Sequence, residues 1–138
     1  MKTKLSLTGT MIMVWLLVQL SLPAKCETAW KFSKSTDNVD LYYSIQKCDG
    51  NDVVLFKFVN HEKKNVKLSW TEVMKTQFGS GQKSFRGPQT LEIAPGVTMG
   101  KDCSDRSIPQ CVLRSTDGLA PYIPVISQFD FENVTVVK

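Results

Sequence analysis

From residue 39 onward, apolar and polar residues alternate with a period of two. Val39, Leu41, Tyr43 and Ile45 alternate with Asp40, Tyr42 and Ser44, the pattern of a half-buried strand. Cys48-Asp-Gly-Asn51 ends it as a tight turn. Val53-Val-Leu-Phe-Lys-Phe-Val59 is apolar on both faces apart from Lys57, which predicts a strand central to a sandwich. Asn60 to Asn65 is a polar turn. Beyond it, Val66, Leu68 and Trp70 alternate with Lys67, Ser69 and Thr71, so the two runs read as a hairpin. Thr71 to Gln77 is the one stretch that reads as a short helical turn.

The second half is more broken. Gly79, Gly81 and Gly87 mark Gln77 to Gly87 as a mobile loop or an irregular edge. Leu91 and Ile93 flank Glu92, Ala94-Pro-Gly96 is a turn, and Val97 and Met99 continue as a short strand toward Cys103. Ser104 to Gln110 reads as a loop and Cys111 to Arg114 as a short strand. Pro121 and Pro124 confine Tyr122-Ile123 to an edge or an extended connection. In the last strand the parity of Phe129 and Phe131 does not match that of Val134 and Val136. A bulge near Glu132-Asn133 would reconcile them.

No segment keeps a 3.6-residue period long enough for a packed helix. These runs predict an all-β chain, a single antiparallel β-sandwich of about seven or eight strands. Val54, Phe56, Phe58, Val66, Leu68, Trp70, Leu91 and Ile93 are the expected core.

The N-terminus breaks the pattern. Lys2 and Lys4 precede the apolar run Met11 to Leu20, followed by a more polar stretch with small residues from Ser21 to Cys26. That order reads as a secretory signal peptide over residues 1–26, leaving residues 27–138 as the sandwich domain. The apolar run is short for a bilayer span, which needs about 20 apolar residues. Leu22-Pro-Ala-Lys-Cys26 also loosely resembles a lipoprotein processing site, which makes Cys26 a lipidation candidate. A membrane enters the picture only through that lipid or an uncleaved signal. The expected location is secreted, periplasmic or at the cell surface.

Export changes the charge. The full chain has 17 Lys+Arg against 13 Asp+Glu, a net charge of +4. Losing Lys2, Lys4 and Lys25 leaves 17 − 3 = 14 basic residues and a net charge of about +1. Nothing in that balance calls for a nucleic-acid partner. The basic runs Lys63-Lys64 with Lys67, and Lys83 with Arg86, read as solvated loops.

Export also makes disulfides plausible. Cys48, Cys103 and Cys111 lie in the mature chain, an odd number. Cys48 and Cys103 both flank polar turns, so both are expected at strand ends. Their bridge would close about 56 residues, worth on the order of 4 kcal/mol, against roughly 2.5 kcal/mol for a Cys103–Cys111 loop of about nine.

Phe58-Val-Asn60, Val66-Lys-Leu-Ser-Trp70 and Leu91-Glu-Ile-Ala-Pro-Gly96 together resemble the core hairpin and Pro-Gly turn of secreted immunoglobulin-like sandwiches. The chain is also similar to small exported proteins of uncharacterised families in Bacteroidetes-type bacteria. Those place a Cys-x-Gly turn early and a Gly-x-x-Cys after the Pro-Gly turn, as Cys48-Asp-Gly50 and Gly100-Lys-Asp-Cys103 do here. The resemblance covers about residues 39–103 and implies an immunoglobulin-like fold without any particular activity.

Searching for chemistry adds little. The single His61 leaves small scope for a His-based site, and Cys103-x7-Cys111 lacks zinc-type spacing. No cofactor or metal is expected. Glu62, Glu72, Glu92 and Glu132 read as solvated carboxylates rather than a hydrolase pair. Asp102, Asp105 and Asp117 are too few ligands for calcium. Asn133-Val-Thr135 is a glycosylation sequon. Trp30, Phe32, Tyr42, Phe78, Phe85 and Tyr122 fall outside the clearest core positions, and Phe78, Phe85 and Tyr122 are the candidate binding-loop residues.

The expected function is a small non-enzymatic exported domain that binds a protein or cell-surface component. A carbohydrate-binding module, with a glycan partner, is the alternative; a secreted hydrolase is disfavoured. An exposed coplanar aromatic row would favour sugar, and a continuous apolar patch would favour protein.

Overall fold

The computed structural model describes residues 28–84, 86–115 and 125–138. The segment read above as an export signal, Cys26 with it, and the loop candidates Phe85 and Tyr122 lie outside the described residues. Two antiparallel sheets pack face to face. Among the described residues the strands number nine rather than seven or eight: β1 (Lys31–Thr36), β2 (Val39–Cys48), β3 (Asn51–Asn60), β4 (Val66–Thr76), β5 (Gly79–Lys83), β6 (Gln89–Ile93), β7 (Gly96–Met99), β8 (Val112–Arg114) and β9 (Ile126–Val137). The extra strands are β1 and β5, which are short, polar and poor in alternation.

The first sheet runs β1-β2-β3-β7, and β8 shares the β7 side of β3. β7 pairs residues 57–60 of β3 and β8 pairs residues 53–55. The second sheet is built the same way around β4, with β9 along one side and β6 and β5 dividing the other. Tight turns set the register of the first two hairpins. Asp37 and Asn38 both have positive φ, as do Asp49 and Gly50, so each pair forms the two-residue turn whose twist suits a hairpin. Asp and Asn tolerate that left-handed geometry better than other side chains.

The interior is aromatic. Phe56, Phe58, Trp70, Phe129 and Phe131 form one cluster, with Phe56 at 4.9 Å from Phe129 and Phe58 at 4.9 Å from Trp70 between ring centroids. All the expected core residues are buried except Leu91, which packs against the cluster from a half-exposed site. The bulge expected near Glu132-Asn133 is present. Ser69 pairs Thr135 while Thr71 pairs Glu132, so Asn133 and Val134 together oppose Trp70. Asn133 takes φ 50°, and the extra residue lets Phe129, Phe131, Val134 and Val136 all face inward.

The expected helical turn at Thr71–Gln77 is instead the second half of β4. Pairing with β9 and β5 on both sides satisfies its backbone as strand, which overrides local propensity. The segment Cys111–Arg114 also differs: a 3-10 turn, Pro109–Cys111, precedes β8.

Where β7 ends, the chain must leave β3 to make room for β8. Gly100 donates its N–H to the Phe56 carbonyl at 3.0 Å. A Cβ there would lie 2.6 Å from the Cys111 carbonyl oxygen and 2.9 Å from Val112 Cγ2. Gly100→Ala is therefore expected to destabilise by about 1–3 kcal/mol through overpacking. A urea midpoint unchanged from wild type would refute this.

Candidate functional site

Both sheets bury one face in the core, so their outer faces decide what the molecule shows to others. Strand alternation assigns the outer residues. On the second sheet they are polar: Lys67, Ser69, Thr71 and Lys75 on β4, opposite Glu92 and Thr90 on β6. Val73 and Val137 are apolar members of that face. On the first sheet the outer face mixes polar residues, Ser35, Asp40 and Lys57, with more exposed apolar ones. One row crosses all four strands, Phe32–Tyr42–Lys57–Met99, and the next carries Val59 and Val97. Phe32 is 58% exposed, Val97 60% and Met99 39%.

Below these rows the same face is covered. Val53, Leu55 and Val112 form a second small core, closed by Trp30 and Cys48. This explains why β3 is apolar on both sides. Trp30 precedes β1 and lies over Lys57, whose Nζ stands 5.0 Å from the Trp30 ring and 4.5 Å from the Tyr42 ring. Both rings attract the ammonium by cation–π interaction, about 0.5–1 kcal/mol each at a partly exposed site. No carboxylate of the described residues pairs with this ammonium. Phe32 meets Tyr42 edge-on, 5.4 Å between centroids and 69° between planes.

Cys48 and Cys103 stand at disulfide distance, with Cα atoms 6.1 Å apart. Their bridge ties the β2–β3 turn to the loop that follows β7. Cys111 is a free, buried thiol. Burial pushes its pKa up to about 12, with the Asp105 charge adding to the rise and Arg86 opposing it. It is therefore a neutral thiol at physiological pH, unsuited to nucleophilic work.

The carboxylates take varied roles. Asp102 accepts bonds from the Ser104 hydroxyl and N–H, and Asp105 from the Ser107 hydroxyl and N–H and from the Lys101 N–H. Those donors, led by the Ser107 hydroxyl, hold Asp105 down to about 2. Both side chains brace their own loop. Asp117 lies outside the described residues, among which no three His, Cys, Asp or Glu cluster in a way that could hold a metal. His61 Nε2 is 2.7 Å from Asp40 and keeps that carboxyl below its usual range. Glu62 pairs with Lys138 at 2.6 Å, Glu92 bonds Asn65, and Glu132 is exposed on β9.

Two residues depart from expectation. Glu72 is fully buried rather than solvated, because β4 continues in phase and turns it inward with Trp70 and Met74. Arg86 is its partner rather than part of a solvated basic loop. The guanidinium forks onto both Glu72 oxygens and also donates to the carbonyls of Pro109 at 3.1 Å and Val112 at 3.0 Å. Ser84 Oγ completes the carboxylate shell at 2.5 Å. This cluster closes the seam between the β5–β6 and β7–β8 edges. Its carboxylate is shielded from solvent, and the cluster acts as a tie.

Among the loop candidates, Phe78 sits at the β4–β5 turn, 58% exposed. Asn133 is exposed at the β9 bulge. Of the outer row of the first sheet the sequence marked Phe32 and Tyr42 as aromatics outside the clearest core positions and Lys57 as the lone polar residue of its run. Val97 and Met99 read simply as strand residues. The chain matches no known family model, no curated protein and no solved structure.

Proposed function

We propose that this is a small exported binding domain that docks a protein partner on the outer face of its first sheet. The observation that carries the reading is the contrast between the two outer faces. Apolar side chains grouped on a sheet face and left in contact with water gain no burial energy until something covers them, and such grouping marks an interaction surface. Phe32, Val97 and Met99 stand exposed on two adjacent rows of this face, with Tyr42 partly exposed between them, while the corresponding face around β4 is mostly polar. A rigid sheet also presents these side chains at little ordering cost on binding. The 69° angle between Phe32 and Tyr42 supports a protein surface over a sugar-stacking platform, which would need coplanar rings.

A cysteine pair at disulfide distance agrees with a secreted, periplasmic or cell-surface location. No helix of the described residues is long and apolar enough to cross a membrane.

The test is site-specific photo-crosslinking. A benzophenone side chain at Val97 is expected to capture a defined protein from the extracellular fraction of the source. The same group at Lys67, on the polar face, should capture none. Equal capture at both positions, or retention of glycans alone, would overturn the reading.

A further inference from the structure

We infer that the partner docked on this face presents an acidic side chain, seated on Lys57 beside the apolar side chains of Tyr42, Val59, Val97 and Met99. The inference rests on the docking reading above and specifies its chemistry. Lys57 lies at the middle of the exposed row, between Tyr42 and Met99, so any partner that covers the row covers the ammonium. Its contacts are the π faces of Trp30 and Tyr42, which attract the charge but accept none of its three N–H bonds conventionally. Lys57 is partly exposed, so solvent reaches the side chain in the free protein. A covering surface removes that water, and an ammonium buried without an acceptor is strongly disfavoured. A carboxylate is the acceptor that also answers the charge.

The surrounding groups point the same way. Asp40, on the neighbouring row, is engaged by His61 at 2.7 Å. Asp52, at the far end of β3 and turned to the inner side, is held there by Lys47 at 2.7 Å and the Ile126 N–H at 2.7 Å. No described carboxylate on this face is left to turn onto Lys57. A second copy of the chain is a poorer occupant. A two-fold dimer centred on the row would set two Lys57 ammonium groups against each other, and like charges at an interface core repel.

The experiment uses the disulfide-bonded protein and two soluble peptides. One carries Val-Phe-Glu-Phe-Val between Gly-Ser flanks and the other has Gln in place of Glu. Binding is read from Trp30 fluorescence, with Trp70 buried as an internal constant, and from amide shifts at Tyr42, Lys57 and Met99. The Glu peptide is expected to bind about tenfold more tightly, and that advantage should shrink as salt rises. Lys57→Met keeps the stem and should abolish the difference while leaving the thermal midpoint near wild type. Equal affinity for the two peptides would overturn the acidic preference and leave apolar docking intact. Binding of neither would overturn both. A concentration-dependent dimer that Val97→Asp abolishes would make a second copy the occupant and overturn the inference.

Discussion

Arg86→Met is expected to lower the unfolding free energy by about 3–5 kcal/mol, the usual result of stranding a buried charge. Glu72 has no exposure to solvent, and Arg86 answers both of its carboxylate oxygens. Without the guanidinium, among the described residues only the Ser84 hydroxyl remains on the carboxylate, and the carbonyls of Pro109 and Val112 lose a shared donor. Removing the carboxylate is a lesser injury. In Glu72→Leu the guanidinium keeps its carbonyl acceptors and, at 15% side-chain exposure, some access to water. The paired change Glu72→Leu with Arg86→Met should therefore be more stable than Arg86→Met alone, because no charge is left buried. Urea unfolding of the three variants decides it. If Arg86→Met costs less than about 1 kcal/mol, or if the double variant is worse than the single, the tie does not hold the seam as described.

Removing the Cys48–Cys103 link, by Cys48→Ala with Cys103→Ala, is expected to cost about 4 kcal/mol. The cysteines are 55 positions apart, and a closed loop of that length restricts the unfolded chain by roughly that amount. The loss is a large share of a typical stability of about 5–15 kcal/mol. Cys48 also packs against Val53, Leu55 and Val112, so part of the outer small core loosens with it. Alanine is chosen over serine to keep a hydroxyl out of that cluster. Thermal unfolding of the oxidised protein, the reduced protein and the variant measures the effect. Coincident curves for the first and last would mean that the bridge contributes nothing, whereas reduced protein and variant should nearly coincide.

Much of the fold was legible because period-two alternation survives wherever one face is buried and the other wet. Val39 to Ile45 and Val66 to Trp70 declared their strands this way. The bulge at Asn133 was legible too, since two aromatic and two aliphatic residues of opposite parity cannot share a face in a regular strand. The signal failed where alternation was weak or a residue broke its own rule. Continuing the phase of Leu68 and Trp70 points Glu72 and Met74 inward, but a glutamate at a core position argues against itself until its arginine is known. That arginine lies 14 residues on, across a strand and a turn, where no local pattern links them. Strand β1 was missed because Lys31-Phe-Ser-Lys-Ser-Thr36 lacks a clean apolar side. Its only local marker was the Asp37-Asn38 turn.

The candidate site shows the same division. By itself the sequence determined that β3 is apolar on both faces with a lone lysine, that several aromatics fall outside the clearest core positions, and that Cys48 and Cys103 lie beside turns. All of these are properties of neighbours along the chain. Which apolar residues of the first sheet are covered and which are left bare was decided only by the tertiary structure. Trp30 and the Cys48 side fold over one end of that face, and nothing described folds over Phe32, Val97 and Met99 at the other. Burial depends on surface brought together from distant parts of the chain. Alternation can say that a face is apolar, and only the packing of the whole molecule leaves part of it open to a partner.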